Sequence, residues 1–162
     1  MLLQFTAPTG DSRKGLGTNH GSFETALLVS QRAGEKVGIE GQFGAIFPTG
    51  GSPGIPTSSA EKFSGRVLYY GVGPSVDVYT SDTVRFAPVV ELVGWRVLGG
   101  FQTLCAGQLC TADASGTNIV NLKVGGRLVL RDKHSIYVGY GKALTNEKWY
   151  AHIIRFEYRR TF

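Results

Sequence analysis

From residue 149 to the end, the chain alternates. Tyr150, His152, Ile154, Phe156, Tyr158, Arg160 and Phe162 share one parity; Ala151, Ile153, Arg155, Glu157, Arg159 and Thr161 share the other. A period of two marks an extended strand whose faces meet different surroundings. The same pattern recurs upstream. It predicts strands ending near residue 8 and over 21–32, 37–48, 63–80, 84–103, 119–131 and 135–144, before the last one at 149–162. The alternation is cleanest over 119–131 and weakest over 84–103, where Val89, Val93 and Val97 are apolar on the otherwise polar parity. No stretch has helical periodicity.

The connections alternate in length. Those near 34, 82 and 133 take about three residues, while Pro-, Gly- and Ser-rich stretches near 10, at 49–61 and at 106–116 run to about a dozen, a rim asymmetry typical of transmembrane barrels. The link at 145–148 is a short exception. About eight antiparallel strands in up-and-down order predict an all-β barrel, and closure would remove exposed edges.

Two orientations of the strands are open. In a soluble barrel the apolar parity fills the interior; in a membrane barrel it meets lipid and the charged parity turns inward. The apolar set, represented by Leu68, Tyr70, Val72, Val90, Leu92, Leu122, Val124, Leu128, Val138, Tyr140, Ile154, Phe156 and Tyr158, is assigned to lipid. The opposite set, Glu24, Glu40, Asp77, Glu91, Lys123, Arg127, Arg131, Arg155, Glu157 and Arg159, is assigned to a lumen charge network among small residues. A soluble barrel would place its glycines on the water face, where they weaken strands without a packing reason. Inward glycines instead make room for long charged side chains. Apart from Glu157, the acids lie on earlier strands and the bases on the last three, so ion pairs across a lumen are expected. Structural pairing is the plainer reading of this network, and a lining that selects an anionic solute the sharper one.

Composition agrees with this picture. Of 162 residues 23 are Gly and only 18% are charged. The net charge of +5 is spread over the strands without a basic run, so no nucleic-acid partner is expected. No apolar run approaches the ~20 residues of a spanning helix. The start, Met-Leu-Leu-Gln-Phe-Thr-Ala-Pro, lacks the features of a signal peptide, which predicts a mature chain or one whose true start lies upstream. Cys105 and Cys110, the only cysteines, predict a loop disulfide, with free thiols as the alternative. No metal or cofactor is expected: zinc would want four ligands, and 49–54 lacks the Lys of a phosphate-binding loop. No catalytic residues are assigned, because His20, His134 and His152 lie at different heights and no Ser sits in a nucleophile motif. The many Tyr and Trp residues read as interface girdles and interior filling.

Phe162 at the terminus, with Tyr158, Phe156 and Ile154 at alternate positions before it, resembles the C-terminal signature of bacterial outer-membrane proteins; Arg160 departs from the aromatic usual at its position. Pro8-Thr9-Gly10-Asp11 with Gly15-Leu16-Gly17, then Pro88 to Trp95, and Val138 to Leu144 resemble the outer-membrane transporters grouped with the meta-pathway of phenol degradation. The resemblance implies a bacterial outer-membrane location, lipid as surroundings, the barrel assembly machinery as a partner that reads Phe162, and a small-molecule solute. Members of that group are generally longer, so 1–162 is expected to be either one barrel domain or the C-terminal part of a larger barrel. A soluble lipocalin-like binding barrel is the alternative, and a lipid-modifying outer-membrane enzyme a third.

Overall fold

A computed structural model of the chain describes residues 1–10, 20–49, 64–103 and 111–162. Among these, regular structure is strand and turn, without helix. In chain order the strands are β1 (Leu2–Thr6), β2 (Gly21–Ala33), β3 (Val37–Thr49), β4 (Val67–Val76), β5 (Tyr79–Thr80), β6 (Val84–Val97), β7 (Phe101–Thr103), β8 (Thr111–Asp113), β9 (Asn118–Leu130), β10 (His134–Ala143) and β11 (His152–Arg160). One sheet runs β1-β2-β3-β4-β6-β9-β10-β11, with β5 beside β6, and β7 pairs with β8. The pairings of β1 with β2, β9 with β10, β10 with β11, β5 with β6 and β7 with β8 are antiparallel. The protein is therefore all-β with an antiparallel sheet, as the alternation predicts. The strand path begins at β1 and ends at β11, and no barrel closure is found among the described residues.

Three boundaries differ from the sequence reading, each for a backbone reason. The extended stretch 63–80 breaks after Val76, because the Asp77 amide donates to Lys36 O at 2.8 Å and the Val78 amide to Phe86 O at 3.0 Å, switching the chain from one neighbour to the other. The stretch 84–103 is interrupted at 98–100, where Gly100 takes φ 95°, a conformation that suits glycine. Thr111–Asp113, expected within a loop, is a strand: Ala112 faces Gln102 and Asp113 faces Phe101 in a short hairpin. In addition β11 starts at His152 and not at Trp149; the Leu144 amide bonds Val120 O at 2.8 Å, in register with the β9–β10 ladder.

The chain forms two compact units. The first comprises Met1–Leu27, Phe43–Tyr69 and Trp95–Asn118. Its β1–β2 register places Gln4 opposite Glu24 and Phe5 opposite Phe23. Its buried apolar residues are Ala26, Tyr69 and Ala114. Gly44 lies so close beneath the Tyr69 ring and Thr25 O, both 2.5–2.7 Å from where a Cβ would stand, that no larger residue fits unshifted.

The second unit comprises Leu28–Gln42, Tyr70–Gly94 and Ile119–Phe162. It contains the three short turns at 34–36, 81–83 and 131–133, each of the predicted length. Gly34 has φ 69°, and both Arg131 and Asp132 have positive φ (51° and 54°). Positive φ at two successive turn residues is the geometry whose twist matches that of a β-hairpin. Ala87, Val89, Val93, Ile119 and Tyr137 are buried. Val89 and Val93 share a parity with Glu91, whereas Val90 (44% exposed) and Leu92 lie on the other, exposed one. The weak alternation of β6 thus comes from apolar filling beside Glu91, not from a change of face.

Candidate functional site

The pairing of β10 with its two neighbours sets the second unit's charged residues in rows. Arg127, Tyr137 and Glu157 are opposite one another across β9, β10 and β11. The next row is Gly125, Gly139 and Arg155, and the row on the other side brings Ser135 opposite Arg159. Side chains two residues apart on a strand share a face, so Arg155, Glu157 and Arg159 stand side by side. Glu157 Oε2 accepts from Arg155 at 2.6 Å, while its Oε1 lies 2.7 Å from Arg159 Nε and 3.6 Å from Arg127. The contacts of Oε1 are ion pairs without hydrogen-bond alignment. Arg127 also donates to Ser135 Oγ at 3.4 Å.

Tyr137 forms the floor of this cluster. It is 1% exposed, and the guanidinium carbons of Arg127 and Arg155 lie 5.5 and 5.9 Å from its ring centroid. Contacts of that length are cation–π interactions worth about 0.5–2 kcal/mol each. The ring extends over Gly139 and Gly125, where a Cβ on either would strike it. Two glycines in one row thus create the room a buried aromatic fills. Among the described residues the Tyr137 hydroxyl has no hydrogen-bond partner, and neither do Asn121 Nδ2 and Oδ1. Such groups are uncommon in folded proteins, because an unmet buried polar atom costs about 1–3 kcal/mol.

Further charges of the second unit are paired locally. Lys123 Nζ is 3.9 Å from Glu91. Asp77, 11% exposed, accepts from Arg32 at 2.8 Å, and Arg85 lies 4.0 Å from both Asp77 and the exposed Asp132. Arg32 also donates to Glu35 O in the first short turn. In the first unit the Tyr69 hydroxyl donates to Glu24 at 2.5 Å. Of the ten residues assigned to a lumen network, eight therefore have a named polar partner: Glu24, Asp77, Glu91, Lys123, Arg127, Arg155, Glu157 and Arg159. Glu40 is exposed on β3, and Arg131 belongs to the turn after β9, not to a strand interior, because the turn requires its positive φ. Sequence reasoning missed Arg32, Arg85, Tyr69, Tyr137 and Asn121. Arg32 shares the parity of Glu24 on β2, and that signal could have found it; nothing in the sequence singles out a tyrosine that lies flat on glycines of its own and the adjacent strand.

No family profile, curated protein or solved structure matches the chain. What the arrangement can do rests on its own chemistry.

The residues assigned to lipid are the less buried face of their strands. Val72, Val90, Val124, Val138, Tyr140, Ile154, Phe156 and Tyr158 are exposed, with Ile154 at 79% and Phe156 at 70%. Leu92 and Leu122 are also exposed, while Leu68, Tyr70 and Leu128 are half-buried. Phe162 is fully exposed and its ring lies 4.9 Å from the Arg160 guanidinium carbon. Arg160, the residue that departs from the terminal signature, is thus in contact with its last aromatic. On β10 and β11, His134 hydrogen-bonds Tyr158 at 2.7 Å and His152 bonds Tyr140, each pair stacked. His20 Nδ1 and Ser64 Oγ are 3.3 Å apart. Cys105 and Cys110 lie outside the described residues, as do the loop residues 11–19 and 50–63.

Proposed function

We propose that this chain is an outer-membrane β-barrel protein, porin-like or structural, whose apolar parity meets lipid and whose charged parity lines an interior that takes up a small solute. The observation that carries this reading is the inverted exposure of the two faces. Along β11 the apolar Ile154, Phe156 and Tyr158 are 54–79% exposed, while the side chain of Glu157 between them is 17% exposed and surrounded by arginines. Water disfavours that sorting by about 25 cal/mol for each Å² of apolar surface left exposed; a lipid phase removes the penalty. The rim asymmetry of the connections and the terminal Phe162 support the same reading, as does the resemblance to the outer-membrane transporters of phenol degradation. On this reading no catalytic residue, metal or cofactor is assigned, and the barrel assembly machinery recognises β11.

The experiment is refolding into lipid vesicles, with gel migration compared before and after boiling. Heat-modifiable migration is expected; a chain that remains monomeric in detergent-free buffer and ignores vesicles would overturn the proposal. A planar-bilayer measurement then separates an open pore, which conducts, from a structural barrel, which does not.

A further inference from the structure

We propose that β9, β10 and β11 carry a binding site for a small oxyanion, a carboxylate or phosphate group, gripped by Arg155 and Arg159 with Arg127 and the Tyr137 hydroxyl. The inference rests on the membrane-barrel reading only for the face from which a solute arrives; the site itself is built within one three-strand segment.

Donors outnumber acceptors in the cluster. Each guanidinium offers five N–H groups in a rigid fork, about fifteen for the three, whereas one carboxylate has about four lone-pair sites. Among the described residues Glu157 is the only acid in contact with these arginines, so the described cluster carries three positive charges and one negative, a net +2. Nearby Lys123 does not change this, since Glu91 balances it. The outer arginines are also accessible. Side-chain exposure rises from Arg127 (24%) through Arg155 (43%) to Arg159 (63%), so the two outer guanidiniums can turn free donors to a ligand while Glu157 fixes their positions. Paired N–H groups of such a fork match a planar carboxylate or a phosphate edge.

A neutral donor adds to the charges. The Tyr137 hydroxyl is buried, lacks a partner among the described residues, and lies over Gly139. Gly139 is the direct strand partner of Arg155. An unmet donor is therefore held over the strand partner of Arg155, and no side chain on Gly125 or Gly139 intervenes. A ligand oxygen reaching between Arg155 and the ring would satisfy it. In the absence of ligand, Glu157 acts as the resident anion, and a solute oxyanion either joins it or shares its arginines.

The test uses the full chain refolded in zwitterionic micelles, with thermal unfolding measured in inorganic phosphate, in acetate and in chloride at equal ionic strength. Phosphate or acetate is expected to raise the midpoint over chloride in the wild type, and to raise it more in Glu157→Gln, where the added anion replaces the lost carboxylate. The effect should vanish in the Arg155→Gln/Arg159→Gln double variant, weaken several-fold in Tyr137→Phe, and persist in Lys133→Gln, an exposed turn substitution. Should Glu157→Gln not refold, Arg155→Lys/Arg159→Lys keeps the charge and removes the fork; weaker protection by phosphate is then expected. An equal response of the double Gln variant, or no difference between oxyanions and chloride, would overturn the site. Heat-modifiable migration of the same samples in vesicles reports the barrel separately. A chain that binds phosphate but does not insert keeps the site and loses the membrane reading; one that inserts but ignores oxyanions does the reverse.

Discussion

The outward face of β11 offers a quantitative test of the membrane reading, through Phe156→Arg. On this strand His152, Ile154, Phe156, Tyr158 and Arg160 share the apolar parity, with Phe156 at the centre. At about 3.4 Å per residue, the four steps to His152 or to Arg160 each span roughly 14 Å along the strand. A tilt of about 40° reduces that to roughly 10 Å of depth, so in an apolar band about 25 Å tall Phe156 lies near the midplane. An arginine there costs about 2–4 kcal/mol in a bilayer, falling to about 0–1 near either interface. Tyr158→Arg should therefore cost less than Phe156→Arg. Val138→Arg on β10 should match the latter, because Val138 is opposite Phe156. If this face instead met water, Phe156 at 70% exposure would tolerate arginine to within about 0.5 kcal/mol. Reversible urea unfolding in short-chain phosphatidylcholine vesicles, followed by tryptophan fluorescence, measures the difference. Midpoints of Phe156→Arg and Val138→Arg that translate to less than about 0.5 kcal/mol from wild type would refute the assignment.

Three further outcomes follow from local geometry. Because the Tyr137 hydroxyl has no partner among the described residues, Tyr137→Phe in chloride buffer should be neutral or stabilising by up to about 1 kcal/mol, whereas Tyr137→Ala should cost about 3–5 kcal/mol by emptying the space above Gly139; urea midpoints decide, and a destabilised Phe variant would contradict the unmet hydroxyl. Replacing Arg131-Asp132 by Asn-Gly should stabilise the second unit by about 1 kcal/mol, since both residues have positive φ, which an arginine resists and glycine adopts more readily than aspartate; an unchanged midpoint would count against that turn geometry. Hydrogen bonds from Ser115, its hydroxyl first and its amide second, hold the Asp113 carboxyl below the ordinary range. A depressed folded value means that the carboxylate's contribution is present above the unfolded value and is lost as pH falls through the folded one. Ser115→Ala should move the Asp113 titration midpoint, read from its carboxyl carbon shift, upward; no movement would remove the hydroxyl as the cause.

Much of the fold was legible because strand parity is a local signal. Over 119–131 alternation alone separates Leu122 and Val124, both exposed, from Asn121 and Lys123, one buried and one half-buried. The short turns were legible for the same reason, since Gly34 and Asp132 are residue types that accept positive φ. The β7–β8 hairpin was not, because Thr111-Ala112-Asp113 fits a loop as well as a strand, and only the pairing of Gln102 with Ala112 decides it. The end of β4 was equally hidden: what breaks the ladder at Asp77 is the carbonyl of Lys36, forty-one positions earlier in the chain.

The charge network shows the limit of parity most clearly. Sorting the residues by sign set acids on early strands against bases on late ones and left Glu157 as the exception. In the structure that exception is the centre, because a strand that places Arg155 and Arg159 two residues either side of one carboxylate pairs its charge without any other strand, and β9 then adds Arg127 across Tyr137. Pairing within one face costs little chain ordering beyond what the strand has already fixed, whereas each of these partly exposed pairs alone is worth only about 0–1 kcal/mol. The consequence is chemical rather than stabilising. Local pairing uses up one acid on three bases and leaves positive charge uncompensated beside an unmet hydroxyl, and it is this imbalance, more than any single ion pair, that gives the segment a reason to bind an anion.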